Sequence, residues 1–190
     1  MNWLQEAFLE PTMVQAVIII SLVSALGLYL GRIKIFGISL GITFVFFAGI
    51  FAGHLGIVVN KDMLYFAQSF GLILFVYALG LQVGPGFFSS LKKGGVAMNM
   101  MGLGVILLGL IMTVSLHWVT GVSLSNMVGL LCGAVTNTPA LGAAQQALLQ
   151  IDPANTKGVT DMALACAVAY PLGVVAVSYT HLRAHETVLD

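Results

Sequence analysis

The chain has 190 residues, 59% of them hydrophobic and only 7% charged, with a mean hydropathy of +1.02 and a formal net charge of zero. A soluble domain carries roughly 25% charged residues, so this sequence cannot cover a water-facing surface, and its balanced charge offers nothing to a nucleic acid. Its apolar runs are long and continuous rather than alternating over ~10 residues, which selects an α-helical integral membrane protein over a barrel.

Residues Met1–Thr12 read as a short interfacial lead, with Trp3 and Phe8 suited to a membrane surface and Pro11-Thr12 to a helix start. Without a basic n-region, the first apolar run reads as a retained span, not a cleaved signal peptide. That span is Met13–Gly31, closed by Arg32 and Lys34. The second is Ile38–Val59, where Gly49-Ile50-Phe51-Ala52-Gly53 forms a small-xxx-small face for close helix approach. His54 beside it reads as a hydrogen-bonded or interfacial residue, not a proton relay.

Met63–Gly84 is the third span, expected to stop at Gly80-Leu81-Gln82-Val83-Gly84-Pro85-Gly86-Phe87-Phe88, because glycine and proline at this density end a helix. The stop is either a loop at the membrane edge or a second broken segment near a solute path. Lys92 and Lys93 follow, then the fourth span Gly95–Trp118, whose Gly102, Gly104 and Gly109 read as packing and whose His117-Trp118 reads as an interfacial anchor. Arg32/Lys34 and Lys92/Lys93 lie two crossings apart and share a side. The positive-inside rule makes that side cytoplasmic and puts the N-terminus outside.

The next stretch breaks the pattern. From Gly94 to Ile151 there is no Asp, Glu, Lys or Arg, yet Gly133-Ala134-Val135-Thr136-Asn137-Thr138-Pro139-Ala140-Leu141-Gly142 interrupts it with polar residues and a proline. Backbone groups released there must find partners in protein, water or ligand. Ser125 or Asn126 can cap a helix ending at Val135, and a second helix begins at Pro139, whose missing N–H costs little at a first helical position. Each half spans ~15 Å, half of a ~30 Å hydrocarbon core. Two geometries fit: a re-entrant hairpin, which the half-lengths favour, or one interrupted crossing helix. The N-terminal end of the second half carries partial positive charge, so Thr136, Asn137, Thr138, Pro139 and Ala140 suit an anion held without a full counter-charge. Gln145 and Gln146 could line the path.

Gly158–Val177 is the last span. Asp161 is expected in its first turn, as a helix-dipole partner or as a coupling carboxylate. Tyr170-Pro171-Leu172-Gly173 reads as a proline kink or as a second discontinuity facing the tip. From Ser178 the membrane pattern ends, and 178–190 resembles translated sequencing-adaptor sequence rather than native protein; His181 and His185, four apart, are therefore not read as a metal pair. Cys132 and Cys166 lie in apolar segments without a Cys/His cluster, so no disulfide, metal or cofactor is expected.

Gly80–Phe88, Gly133–Leu141 and Ala169-Tyr170-Pro171-Leu172-Gly173, in this order, resemble the N-terminal membrane half of the aspartate:alanine exchanger family of bacterial transporters. The resemblance covers Met13–Val177. It implies a secondary antiporter of the inner membrane, a homodimer with two membrane halves of opposite orientation separated by cytoplasmic regulatory domains. That layout needs Val177 on the cytoplasmic side, which four crossings, a re-entrant hairpin and the last span deliver.

The combined expectation is an all-α integral membrane protein with about five transmembrane helices and a re-entrant hairpin with a broken polar tip. It is divided into 1–12 (lead), 13–177 (membrane domain) and 178–190 (tail). It is expected to be a fragment of a secondary transporter that exchanges small carboxylate solutes, amino acids or dicarboxylates, with Thr136, Asn137, Thr138, Pro139, Ala140, Gln82, Tyr170 and Pro171 as its solute-binding residues, Asp161 as a candidate coupling group and membrane lipid as its surround. The alternatives are a channel or pore subunit, or a non-transporting structural membrane domain. An enzyme is not expected, since no nucleophile–base pair, carboxylate pair or metal spacing is visible.

Overall fold

A computed structural model describes residues 12–35, 38–39, 41–90 and 95–186. The lead with Trp3, Phe8 and Pro11, the lysines Lys92 and Lys93, the end of the tail and the side chains of His181 and His185 lie outside them. The described elements are α1 (Met13–Leu30), β1 (Lys34–Ile35), β2 (Ile38–Ser39), α2 (Thr43–His54), α3 (Lys61–Ser90), α4 (Val96–Thr120), α5 (Leu124–Ala134), α6 (Thr138–Ile151) and α7 (Thr156–Glu186). Helices α1, α3, α4 and α7 are long and apolar enough to cross a membrane. Two units of dense contact, Met1–Ser69 and Phe70–Asp190, divide within α3.

In the first unit, Thr12 caps α1 by accepting from the Gln15 N–H at 3.1 Å. The pair β1–β2 is antiparallel, Lys34 opposite Ser39 and Ile35 opposite Ile38, and reverses the chain. The second expected span, Ile38–Val59, is not a full-length helix. Its helical part is the 12 residues of α2, ~18 Å long. The end has a clear cause: the Gly56 N–H bonds to the Gly53 carbonyl and the Ile57 N–H to the Ala52 carbonyl, with Gly56 at φ +78°. This is a Schellman cap, which needs glycine at the left-handed position.

The segment still returns along α1. Gly31 meets the Gly41 carbonyl, Gly27 lies against the Val45 backbone, and the buried Gln15 amide donates to the Val58 carbonyl at 2.8 Å. Residues 41–58 therefore retrace α1 from Gly31 to Gln15, ~24 Å. The expected small-xxx-small face finds no use here: nothing lies within 4 Å of a Cβ placed at Gly49 or Gly53 among the described residues.

The helix end expected at Gly80–Phe88 does not occur, and of the two readings at Pro171 the discontinuity does not. α3 continues through Gly84-Pro85-Gly86 to Ser90, and α7 runs through Pro171. An internal proline frees one carbonyl, whereas ending a helix leaves four carbonyls and four N–H groups to satisfy. In apolar surroundings continuing costs less. α7 also runs on past Val177 to Glu186.

In the second unit, α4 and α5 are antiparallel. Gly109 faces Leu131, and Met112, Thr113, Leu116, Met127 and Leu130 line a cavity of about 260 Å³ between them. The buried Thr113 hydroxyl donates to the Gly109 carbonyl at 2.7 Å, leaving the lining apolar. The turn after α4 carries Gly121 at φ +69°, and His117 Nδ1 lies 2.6 Å from the Val122 carbonyl, so this ring binds its own turn. Ser123, not Ser125 or Asn126, caps α5, accepting from the Asn126 N–H at 3.3 Å. The opposite face of α4 exposes Leu107, Ile111 and Val114, a contiguous apolar surface suited to lipid.

The two kinds of glycine make opposite predictions. Gly27→Ala should lower thermal stability in detergent by ~1–3 kcal/mol, because its methyl would fall inside the Val45 backbone. Gly49→Ala should leave the midpoint unchanged or raise it slightly, since helical alanine is preferred where space is open.

Candidate functional site

The polar break is built by one helix end facing another helix start. α5 has 11 residues and α6 has 14, so they reach ~16 and ~21 Å. α5 lies parallel to α7 and in backbone contact with it. A Cβ at Gly129 would collide with the Met162 carbonyl, and one at Gly133 with the Cys166 carbonyl. Ala165 and Ala169 pack beside these glycines, one helical turn apart. Gly129 and Gly133 are thus the small-xxx-small face this chain uses, and both flank the buried Cys132.

α6 then runs back. The Cβ position of Gly158 has Leu148 Cδ2 at 2.8 Å and Ser125 Oγ at 3.1 Å, so the end of α6 and the beginnings of α5 and α7 meet at one level. Gln145 Nε2 donates to the Val159 carbonyl at 2.9 Å, which commits that amide to packing. The segment from Ser123 to Asp152 leaves and regains the same end of the unit, with 135–137 at its far point.

At that far point α5 ends in a second Schellman cap. The Thr136 N–H bonds to the Gly133 carbonyl at 3.0 Å and the Asn137 N–H to the Cys132 carbonyl at 2.8 Å. The left-handed position usually taken by glycine holds Thr136, at φ +54°, the one non-glycine residue with positive φ among the described residues. A β-branched residue there costs on the order of 1–2 kcal/mol. Asn137 immediately caps α6, its Oδ1 accepting from the Ala140 N–H at 3.0 Å, and its carbonyl accepts from the Leu141 N–H at 3.3 Å. Helix α6 therefore begins at Thr138, and Pro139 is its second residue, not its first.

These bonds consume most of the donors expected to be free. Among the described residues, the Thr138 N–H is the one backbone donor of 135–141 left without a hydrogen bond, Pro139 having none to offer. The hydroxyls of Thr136 and Thr138 and the amide nitrogen of Asn137 also form none, and Asn137 is exposed. What remains is a compact set of neutral donors at a helix N-terminus, the arrangement that holds an anion without a full positive charge.

Helix α7 supports this tip from behind. The buried Tyr170 hydroxyl donates to the Thr136 carbonyl at 3.1 Å. Three residues on, the Cβ position of Gly173 lies 2.6 Å from the Gly133 and Ala134 carbonyls and 3.0 Å from Thr136 Cγ2. Of the residues singled out in the sequence, 136–140 and Tyr170 converge. Pro171 is exposed beside them inside an unbroken helix. Gln82 is exposed on α3, and no hydrogen bond joins it to the tip among the described residues. Asp161 lies in the second turn of α7, not the first, half-buried and ~14 Å along the helix from Tyr170, so it is neither a first-turn dipole partner nor a neighbour of the tip. Gly129, not singled out in advance, and Gly173, quoted in the Tyr170–Gly173 motif without a packing role, are both in close backbone contact. The Gly-xxx-Gly spacing of 129 and 133 was the available signal.

Gly173→Ala should lower stability in a detergent melt by ~1–3 kcal/mol, because the methyl meets two carbonyl oxygens of the tip. Gly104→Ala, at an open position, should not. Asn137→Ala should cost ~1 kcal/mol through the lost cap, measured in the same thermal assay.

The chain is similar to known transporter sequences. Residues 19–182 match the family model Asp-Al_Ex, described as a predicted permease membrane region. An uncharacterized transporter of Bacteroides thetaiotaomicron is 60% identical over 177 residues, 93% of this chain and 31% of that protein. One of Porphyromonas gingivalis is 59% identical over 175 residues, 92% of this chain and 31% of that protein. A further transporter of B. thetaiotaomicron is 49% identical over 180 residues, 93% of this chain and 32% of that protein. No solved structure matches. The chain spans about a third of the length of these relatives. With its long apolar helices it is a multi-pass membrane protein, and it belongs to the aspartate–alanine exchanger family of permeases.

Proposed function

We propose that this chain is the N-terminal membrane half of a secondary antiporter that exchanges small carboxylate solutes, amino acids or dicarboxylates, across the bacterial inner membrane. The observation that carries the reading is the tip at 136–138. An unbonded Thr138 N–H, two threonine hydroxyls and the Asn137 amide gather where α5 ends and α6 begins. Transporters place anionic solute groups at such half-helix N-termini, near the bilayer midplane. Residues from Ser123 to Asp152 form a re-entrant pair in this reading, because both ends return to one level beside Gly158 and neither helix alone reaches across ~30 Å.

Orientation follows from charge. Residues 41–58 retrace α1, so two crossings separate Arg32 and Lys34 from Lys92 and Lys93, and all four basic residues share the cytoplasmic side. The N-terminus and the open end of the α5–α6 pair then face outward. The working unit is a homodimer of the full-length protein, with lipid against the exposed faces. Tyr170 contributes to the site only by supporting the tip, and Asp161, nearer the outer end of α7, is a candidate for coupling.

The test is counterflow in proteoliposomes containing the full-length protein, with labelled aspartate, alanine and other mono- and dicarboxylates. Exchange should need a carboxylate on both sides of the membrane, and Thr138→Ala should raise the half-saturating concentration by about tenfold, the loss of one donor to a charged group. Exchange unaltered by Asn137→Ala and Thr138→Ala would remove the tip as the site, and flux without a counter-solute would remove the antiport.

A further inference from the structure

The Schellman cap of α5 places a β-branched residue where glycine would be free of strain. Thr136 sits at φ +54°, and two groups of α7 act on that same residue: the Tyr170 hydroxyl donates to its carbonyl at 3.1 Å, and Gly173 leaves room for its Cγ2 at 3.0 Å. Tyr170 is 3% exposed, so its hydroxyl is turned into protein, away from any path open to a solute.

We propose that Tyr170 is a positioning residue: its hydroxyl holds the Thr136 peptide in the left-handed conformation, and so keeps the Thr136 hydroxyl, the Asn137 cap and the Thr138 N–H in register. The physical argument is a balance of two terms of similar size. A left-handed threonine is disfavoured by roughly tenfold against other backbone conformations, and one buried phenol–carbonyl hydrogen bond recovers on the order of fivefold. Without the bond, the tip samples conformations in which the cap and the free donor no longer face one ligand. Glycine at 136 would hold the turn without help but would take away a hydroxyl. The strained threonine is retained at the cost of a dedicated clamp. The importance of this clamp for transport rests on the tip being the solute site; its effect on tip geometry does not.

The two can be separated in one experiment. Val135, which is exposed, is replaced by cysteine as a reporter; the native Cys132 and Cys166 are buried. Labelling by a small maleimide is timed in the full chain in detergent, for Tyr and Phe at 170 combined with Thr and Gly at 136. Tyr170→Phe should accelerate labelling about fivefold when 136 is threonine and less than twofold when it is glycine. Equal acceleration in both backgrounds, or none in either, would overturn the proposal. Should Tyr170→Phe alone fail to fold, Thr136→Gly must restore folding; failure of both would equally count against it. In the full-length protein, Tyr170→Phe should raise the half-saturating solute concentration, and aspartate or alanine should slow labelling at 135. Absence of that protection, with the labelling pattern intact, would refute the solute site and leave the clamp standing.

Discussion

The structure of the second unit depends on backbone contact between α5 and α7. Gly129 and Gly133 press against the Met162 and Cys166 carbonyls, and Gly173 receives the carbonyls of Gly133 and Ala134. In a bilayer there is no hydrophobic gain in moving one apolar helix against another, so association relies on close packing and on polar contacts. Side chains larger than hydrogen at these three positions would separate the helices and remove the surface against which the break is held. The two helices run parallel, so the chain must return between them, and α6 is that return. A half-length helix, a reversal and a second half-length helix follow from the single requirement that α5 and α7 lie side by side in the same direction.

The break is economical in its polar groups. The cap bonds of Thr136 and Asn137, the Asn137–Ala140 bond and the Tyr170–Thr136 bond satisfy much of what a helix end and a helix start would otherwise leave open. Pro139 removes one donor outright. The Thr138 N–H is what survives, beside three side-chain donors.

Much of this was legible in the sequence. Charge depletion over Gly94–Ile151, the polar tip and the matched lengths on either side identified the broken segment and its approximate bounds. Proline was misleading at Pro85, because the rule that proline ends helices assumes water to satisfy what is released; at Pro171 the same residue left both a kink and a break open, and the helix continues. Gly56 was a readable stop: the His54-Leu55-Gly56 sequence carries a Schellman cap, and it shortens the second helix. Glycine spacing was ambiguous by nature. Gly49-xxx-Gly53 and Gly129-xxx-Gly133 are the same pattern, and the partner in space decides which one is used. The Tyr170–Thr136 bond spans 34 residues, and no local pattern encodes it. Asp161 shifted from the first to the second turn of α7 because Asn155 caps that helix at its Gly158 N–H, earlier than the apolar run alone implied.

The central claim is that the chain goes in and comes out on one face of the membrane around the 135–138 tip, with its partially positive helix start inside. Single cysteines at Thr120 and Ala154, in the turns before α5 and after α6, report this directly when a membrane-impermeant maleimide is applied to intact cells. Both should be labelled from outside, at comparable rates. Labelling of one from outside and of the other only after the membrane is opened would make the segment a single interrupted crossing and would contradict the account.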